Sequence, residues 1–256
     1  MNVLQPPLRT LGAAALIALA LPAATAQADP GAGLPQRAIV EEIVRDYILN
    51  NPEIVMEAIE KLREKRREAE LAADRNALRA SAAALYEDPA APVGGNPEGD
   101  VTIVEFFDYR CGVCKRVHPI VEELVKSDGK IRRVYKDWPI LGPDSVVAAR
   151  AALASRKQGK YLPFSNAMME SKVNLNRDAV MAIARSVGID TAKLDADMKA
   201  EEIDKIISQN YALADRLGLN GTPSFVIGET IVRGGQGLDA MRALVAEARE
   251  KAKAAQ

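Results

Sequence analysis

The chain contains two cysteine residues, Cys111 and Cys114, and they form a single Cys-Gly-Val-Cys segment. They follow an apolar run, residues 101–107, that predicts a buried β-strand, and they begin a stretch with a helical pattern. This spacing lets the two sulfur atoms meet across the first helical turn. The helix N-terminus stabilises an anion there and lowers the pKa of the first thiol. The pattern therefore predicts thiol–disulfide exchange, in which the Cys111 thiolate attacks and Cys114 resolves the mixed disulfide.

Other interpretations of the cysteine pair have less support. A zinc site needs further ligands, whereas Cys111, Cys114 and His118 offer only three candidate positions. A purely structural disulfide with this spacing closes almost no loop and gains little from chain entropy. Capture of Cu(I) by the two thiolates stays open, and it would make the protein a copper-handling binding protein rather than an enzyme.

The composition of the chain excludes several classes of protein. Its 256 residues carry 34 Lys and Arg against 35 Asp and Glu, so they lack the basic excess typical of nucleic-acid binding. Hydrophobic residues make up 48% of the chain, which argues against disorder and provides for a substantial core. A single histidine excludes a multi-histidine metal centre. We expect no cofactor, no resident metal and no nucleic-acid partner.

Residues 1–28 have the pattern of a secretory signal peptide. Arg9 precedes an apolar run from Leu11 to Leu21, and Ala26-Gln27-Ala28 resembles a cleavage site. The run has about half of the roughly 20 residues that span a bilayer, so a membrane anchor is the weaker interpretation. We expect cleavage near Ala28 and a soluble, periplasmic mature protein in a compartment where disulfides form.

Residues 29–85 predict a helical N-terminal arm. Asn51-Pro52 interrupts the helical pattern, and apolar residues recur at helical spacing over residues 39–62. This apolar stripe lies outside the domain that follows, which favours homo-oligomerisation through residues 36–85 over an arm that lies on the domain. Residues 88–100, rich in Gly and Pro, are expected to form a linker.

Residues 86–256 predict an α/β domain with a helical insertion. The order is a strand at 101–107, a helix from 111, a strand at 131–135 and a helical stretch over about 144–219. A β-hairpin at 224–232 and a helix at 238–252 follow. A sheet interrupted by a block of helices is an α/β arrangement.

Three segments of this domain resemble the thioredoxin-fold thiol–disulfide oxidoreductases, specifically the exported DsbA-like family with a helical insertion. These segments are Val104-Glu-Phe-Phe107, Tyr135-Lys-Asp-Trp-Pro-Ile-Leu-Gly-Pro-Asp144 and Gly221-Thr-Pro-Ser-Phe225. The resemblance spans residues 85–254 and implies a thioredoxin-like fold. It also implies a cis peptide bond before Pro223 that faces the cysteine pair, with Thr222 and Pro223 contacting the substrate backbone.

The resemblance places the family's buried acid at Glu105. Glu105 is the one charged residue inside the apolar strand. Its burial would raise its pKa and equip it to exchange a proton with Cys114. His118, one helical turn beyond Cys114, is expected on the helix surface.

Departures from the strongly oxidising DsbA type narrow the expected function. The dipeptide Gly112-Val113 lacks the histidine of that type, and Thr222 is similar to isomerase-like members. The helical arm resembles that of oligomeric Com-type relatives such as suppressor-of-copper-sensitivity protein C. We therefore expect an isomerase or reductase. A dithiol oxidase, a copper(I)-handling protein and an adhesion or scaffold protein are the alternatives. Exported cysteine-containing proteins and a membrane thiol–disulfide redox partner are the expected partners.

Overall fold

The structure, a computed structural model, describes residues 34–254 of the chain. The predicted signal peptide at residues 1–28 lies outside the described residues. The chain divides into two units between Leu62 and Arg63. Among the helices of the described part, none is both long and apolar enough to cross a membrane.

The first unit is helical, as the sequence predicts. Helix α1 spans Leu34–Asn50, and helix α2 spans Glu53–Ala80 and continues into the second unit. The break lies at Asn51-Pro52, because proline has no backbone N–H and suits the first turn of a new helix. Many large apolar side chains of this unit are at least half exposed, namely Ile39, Val40, Ile43, Val44, Tyr47, Leu49 and Met56.

The second unit contains a five-stranded sheet. The strands are β1 (Val93–Gly95), β2 (Val101–Phe107), β3 (Ile131–Asp137), β4 (Ser224–Ile227) and β5 (Thr230–Arg233). Their order is β1-β3-β2-β4-β5, with β2 and β3 parallel and the other pairs antiparallel. Strand β2 is central and is covered on both faces, which explains its nearly continuous apolar sequence.

Helices cover both faces of the sheet and form the insertion. They are α3 (Ala82–Tyr86), α4 (Gly112–Asp128), α5 (Pro143–Ala154), α6 (Tyr161–Glu170), α7 (Arg177–Ser186), α8 (Thr191–Asp197), α9 (Glu201–Arg216) and α10 (Leu238–Ala254). Side chains of α4 and α10 share one core with β2 and β4, whereas α3 and α9 contribute to a second core. Helices α5 to α8 build a third core that includes Phe107 and Tyr109. The predicted α/β arrangement with a helical insertion is confirmed.

The assignment of residues 88–100 to a linker is wrong for Val93–Gly95, which form β1 at the edge of the sheet. Val93 pairs with Val134 and Gly95 pairs with Arg132 of β3. Gly95 has φ 69°, and a Cβ atom there would lie 2.4 Å from the Ile131 carbonyl oxygen. The pairing of β1 with β3 therefore needs glycine at position 95, although a segment rich in glycine usually indicates a loop.

The second unit also includes part of the predicted arm. Leu78 is 6% exposed and Leu85 is fully buried, and both lie in the core that contains Val104 and Phe106 of β2. Spacing alone does not show which surface the leucines of a helix contact. The boundary between the two units follows Leu62. It lies earlier in the chain than residue 86, where the sequence analysis begins the domain.

Asp137 is a buried carboxyl group at the end of β3. It is 1% exposed, its Oδ2 atom accepts a 2.7 Å hydrogen bond from the Tyr161 hydroxyl, and its Oδ1 atom has no hydrogen-bond partner. Burial raises its pKa to about 7, although hydrogen bonds from Tyr161 and Tyr109 and the charge of Arg156 oppose the rise. Asp137 therefore takes up a proton on folding in weakly acidic solution.

We expect the substitution Asp137→Asn to change how stability depends on pH. An acid with a raised folded pKa makes the protein less stable as pH rises from the unfolded pKa to the folded one, so this loss is complete above about pH 7. The variant should therefore gain more stability relative to wild type at pH 8 than at pH 5. Urea unfolding at both pH values measures this difference. Asp239→Asn, at a fully exposed carboxyl, is the control. Equal effects of Asp137→Asn at both pH values would contradict the prediction.

Candidate active site

Cys111 is the N-cap residue of α4. Its backbone is extended, with φ −70° and ψ 114°, and its carbonyl accepts the first helical hydrogen bond from the Lys115 N–H. Its Sγ atom accepts a 3.2 Å hydrogen bond from the Cys114 N–H. The first amides of a helix lack partners inside the helix, so a sulfur at this position receives a donor and the positive end of the helix dipole.

The two cysteines differ in exposure and in acidity. Cys111 is 6% exposed and Cys114 is fully buried, while Val113 between them is 37% exposed. A hydrogen bond from the Cys114 thiol, together with the Cys114 and Val113 amides, lowers the pKa of Cys111 to about 5. Burial, and next the hydrogen bond to Cys111, raises the pKa of Cys114 far above its usual value. Cys111 is therefore the thiol that ionises and remains partly accessible.

The loop before β4 lies against the cysteine pair. The Thr222–Pro223 peptide bond is cis, as the family resemblance implies. In its thiol form Cys111 donates a hydrogen bond from Sγ to the Thr222 carbonyl oxygen, at 3.3 Å. The Gly234 N–H donates to the Pro223 carbonyl at 2.9 Å, which ties this loop to the segment after β5. The predicted proximity of Pro223 to the cysteines is confirmed by these contacts.

Glu105 is buried, as predicted, but it is not an isolated acid. It is 1% exposed, and its Oε2 atom accepts hydrogen bonds from Nε and Nη2 of Arg133, at 2.9 and 2.6 Å. Arg133 is itself 2% exposed and also contacts Glu122 of α4. Glu105 is the one charged residue within β2, as the sequence analysis states, and β3 brings the guanidinium group of Arg133 to it.

The expectation that His118 lies on the helix surface is also wrong. His118 is 2% exposed, and neither of its ring nitrogens has a hydrogen-bond partner. Burial, and next the charge of Arg133, lowers its pKa to about 4. The helical spacing explains the burial, since position 118 belongs to the same buried stripe as Cys114, Val117 and Val121.

Sequence analysis missed two residues that shape this site. Arg133 lies on the strand beside β2, and a basic residue on a neighbouring strand was the available signal of a partner for Glu105. Gly235 lies against α4, where a Cβ atom would be 2.5 Å from Val117 Cγ2 and 3.2 Å from Val113 Cγ1. Glycine at this position lets the chain pass close to the cysteine-bearing turn, and no signal in the sequence distinguishes it from an ordinary turn glycine.

The two thiols are the soft ligands that this site offers, and they suit Cu(I) by type. Over residues 34–254, no group of three or more His, Cys, Asp and Glu side chains comes together in a way that could hold a metal ion. The arrangement of an ionisable thiol with 6% exposure, a fully buried second thiol and an adjacent backbone carbonyl suits reversible disulfide chemistry.

Two protein families match the chain. The family described as Thioredoxin matches residues 87–247, which is more than half of the chain. The family described as Copper resistance protein ScsC N-terminal domain matches residues 36–69. One match lies in the domain and the other in the arm that the sequence analysis distinguishes.

Solved structures extend this similarity. A thioredoxin-like oxidoreductase from Silicibacter pomeroyi is 50% identical and has a TM-score of 0.65, with 66% of this chain and 97% of that chain covered. A linker-deletion mutant of ScsC from Proteus mirabilis is 29% identical with a TM-score of 0.68, and the coverage is 89% and 100%. The thiol-disulfide exchange protein alpha-DsbA2 from Wolbachia pipientis is 31% identical with a TM-score of 0.66, and the coverage is 70% and 97%.

Among curated proteins, the Na⁺/H⁺ antiporter NhaA 3 of Salinispora tropica is 26% identical over 158 residues, which is 61% of this chain. The match covers 24% of that protein, so the chain spans about a quarter of the length of such relatives. The family match over residues 87–247 and the oxidoreductase structures define the relationship more completely. The chain belongs to the DsbA- and ScsC-like family of thioredoxin-fold disulfide oxidoreductases.

Proposed function

We propose that this protein is an exported, periplasmic thiol–disulfide oxidoreductase that rearranges disulfides in other exported proteins. The observation that carries the proposal is the environment of Cys111 Sγ, which receives hydrogen bonds at the start of α4 and lies 3.3 Å from the Thr222 carbonyl. The signal-peptide pattern of residues 1–28 supports export, and an oxidising compartment supplies disulfide-containing substrates.

The proposed reaction begins with the Cys111 thiolate. It attacks one sulfur of a substrate disulfide, so that a mixed disulfide forms and a substrate thiolate leaves. In isomerisation, that thiolate attacks another disulfide of the substrate, and the final exchange returns Cys111 as a thiolate with no net oxidation. In reduction, Cys114 attacks Cys111 Sγ, releases the second substrate thiolate and closes the Cys111–Cys114 disulfide.

The high pKa of Cys114 favours isomerisation over rapid reduction. A protonated thiol is a poor nucleophile, so Cys114 has to lose its proton before it attacks. This delay extends the life of the mixed disulfide and gives the substrate time to rearrange. Glu105 is the proposed acceptor of that proton, with Arg133 as its counter-charge.

The pKa of Cys111 also supports an intermediate redox poise. A nucleophilic thiol has a pKa of about 7 in thioredoxin, a reductant, and about 3.5 in DsbA, a strong oxidant. The value of about 5 in this protein lies between them. Since a stabilised thiolate makes a disulfide more oxidising, the lowered pKa supports a redox poise between that of a reductant and that of a strong oxidant. A dithiol oxidase is the alternative, and a measured reduction potential close to that of DsbA, about −120 mV, would favour it.

Thr222 and Pro223 are the proposed contacts for the substrate backbone. Proline has no N–H, so this edge of the site leaves neighbouring backbone groups available to an extended peptide. The contact between Cys111 and the Thr222 carbonyl supports this role, because it brings the backbone of Thr222 to the sulfur that is proposed to attack.

A membrane thiol–disulfide protein is the proposed redox partner, and it would return the cysteine pair to the redox state that the next reaction needs.

The first unit supports a proposal of homo-oligomerisation through residues 36–85. Many of its large apolar side chains are exposed to solvent. Ile43 is 61% exposed and Leu49 is 66% exposed. Apolar surface of this kind in an exported protein marks a protein–protein interface. Association would bring several active sites to one substrate, which benefits the repeated exchanges of isomerisation.

We expect the two cysteine variants to fail in different ways. Cys111→Ser should abolish the reduction of insulin disulfides, because it removes the attacking thiol. Cys114→Ser should instead accumulate mixed disulfides with substrate proteins on non-reducing gels, because it removes the resolving thiol. Turnover by Cys111→Ser at the wild-type rate would refute the proposed function. Binding of Cu(I) by wild type without any disulfide exchange would favour the copper-handling alternative.

The Cys111 thiol should titrate with a midpoint near pH 5. Thiolate absorbance at 240 nm, recorded as a function of pH for the reduced protein, measures this midpoint. Cys111→Ser should lose the transition, whereas Cys114→Ala should keep one, shifted upward because the hydrogen bond from the Cys114 thiol is absent. A wild-type midpoint near 8.5, the value of an unperturbed cysteine, would contradict the prediction.

The double variant Ile39→Glu with Ile43→Glu should dissociate the oligomer, because it places charges on the apolar surface of α1. Sedimentation at micromolar concentration should show a smaller particle, and refolding of a scrambled-disulfide ribonuclease should slow several-fold, while insulin reduction stays within about twofold. Arg45→Glu, a charge change on the same helix, is the control. A wild-type protein that sediments as a monomer would end this proposal.

A further inference from the structure

Asp108 lies three residues before Cys111, in the loop that joins β2 to α4, and it is 1% exposed. Its Oδ1 atom accepts hydrogen bonds from the Arg110 N–H at 2.7 Å and from the Ser145 hydroxyl at 2.9 Å. Its Oδ2 atom accepts a bond from the Leu141 N–H at 3.0 Å. One buried carboxylate therefore joins the cysteine-bearing loop to a segment more than thirty residues later in the chain.

The backbone of Asp108 contacts both cysteines. Its carbonyl accepts a 3.1 Å hydrogen bond from the Cys111 N–H. A backbone hydrogen bond of Asp108 also reaches the Cys114 side chain. The position of this one residue therefore determines where the main chain enters the turn that carries the two sulfur atoms.

The residues that hold the carboxylate lie at the start of α5. Ser145 is in the first turn of that helix, and Leu141 precedes its N-cap residue, Gly142, which has no side chain to accept a hydrogen bond. A carboxylate at a helix N-terminus is stabilised by the helix dipole. Arg110 adds a second link, because its Nη1 atom donates a 3.3 Å bond to the Leu141 carbonyl.

We propose that Asp108 is a positioning residue for thiol–disulfide exchange, and that its carboxylate holds the loop of residues 108–111 against the start of α5 so that Cys111 remains the N-cap of α4. The proposal rests on the proposed function of Cys111. The carboxylate of Asp108 bonds to Arg110, Leu141 and Ser145 rather than to a sulfur atom. It acts by keeping Cys111 Sγ within 3.2 Å of the Cys114 N–H, the contact that loosening of the loop would lengthen.

Asp108→Asn tests this role with nearly the same side-chain size. The amide cannot accept all three hydrogen bonds, so a buried donor loses its partner and the loop loosens. We expect the Cys111 titration midpoint to rise by about one pH unit. We also expect kcat for insulin reduction to fall about tenfold with little change in KM, because geometry rather than binding is disturbed.

Asp144→Asn is the matched control. Asp144 also lies in the first turn of α5, but its side chain is 40% exposed and its contact is a 3.6 Å ion pair with Arg110. The Asp144→Asn variant also removes one negative charge at the start of α5, but the Asp144 side chain makes no hydrogen bond to the backbone of residues 108–111. We expect its Cys111 midpoint to equal that of wild type. An equal rise in both variants would assign the effect to charge and overturn the positioning role.

Ser145→Ala keeps the inference testable if Asp108→Asn does not fold. It removes one donor to the carboxylate and leaves Arg110 and Leu141 in place, so a smaller rise of the Cys111 midpoint is expected. An unchanged midpoint and unchanged turnover in folded Asp108→Asn, or in Ser145→Ala when the former is unfolded, would overturn the inference. Failure of the proposed function is distinguishable, because it would already appear in wild type as a missing low midpoint and missing turnover.

Discussion

The chemistry of this protein depends on the hydrogen bonds that reach one sulfur atom. Cys111 Sγ lies where α4 begins, and it accepts hydrogen bonds from the Cys114 amide and from the Cys114 thiol, so a negative charge on it is stabilised. The same bond opposes ionisation of Cys114, because a thiol that donates to a thiolate has to keep its proton. Burial of Cys114, which raises its pKa most, and this contact together give two chemically identical side chains opposite acidities.

The sheet explains how distant parts of the chain meet at this sulfur. Strand β2 leads directly into the cysteine-bearing loop, and β4 runs antiparallel beside it, with Ser224 opposite Phe106. The residue two positions before Ser224 is Thr222, so the register of β4 carries its carbonyl toward Cys111. The start of helix α5 contacts the same loop through Asp108. The active site is thus held between a strand end and a helix start.

The sequence pattern predicted the features that depend on residues close together in the chain. It did not predict contacts between residues that are far apart in the chain. The strand at 101–107 and the helix after Cys111 follow from composition and spacing, while the buried acid at Glu105 and the cis bond before Pro223 followed from the family resemblance. Arg133 was missed, because the pairing of β3 with β2 has to be known before its side chain can be assigned to Glu105. His118 was placed in solvent because its polarity outweighed its position on the buried stripe of α4.

The separation of Cys111 and Thr222 along the chain has a consequence for biosynthesis. The two residues that meet at 3.3 Å are separated by 111 positions, and the helical insertion lies between them. During synthesis the cysteine pair emerges long before the strand that completes its surroundings. Until that strand arrives, the newly made chain is itself an unfolded dithiol, open to the same exchange reactions that the mature protein is proposed to carry out on others.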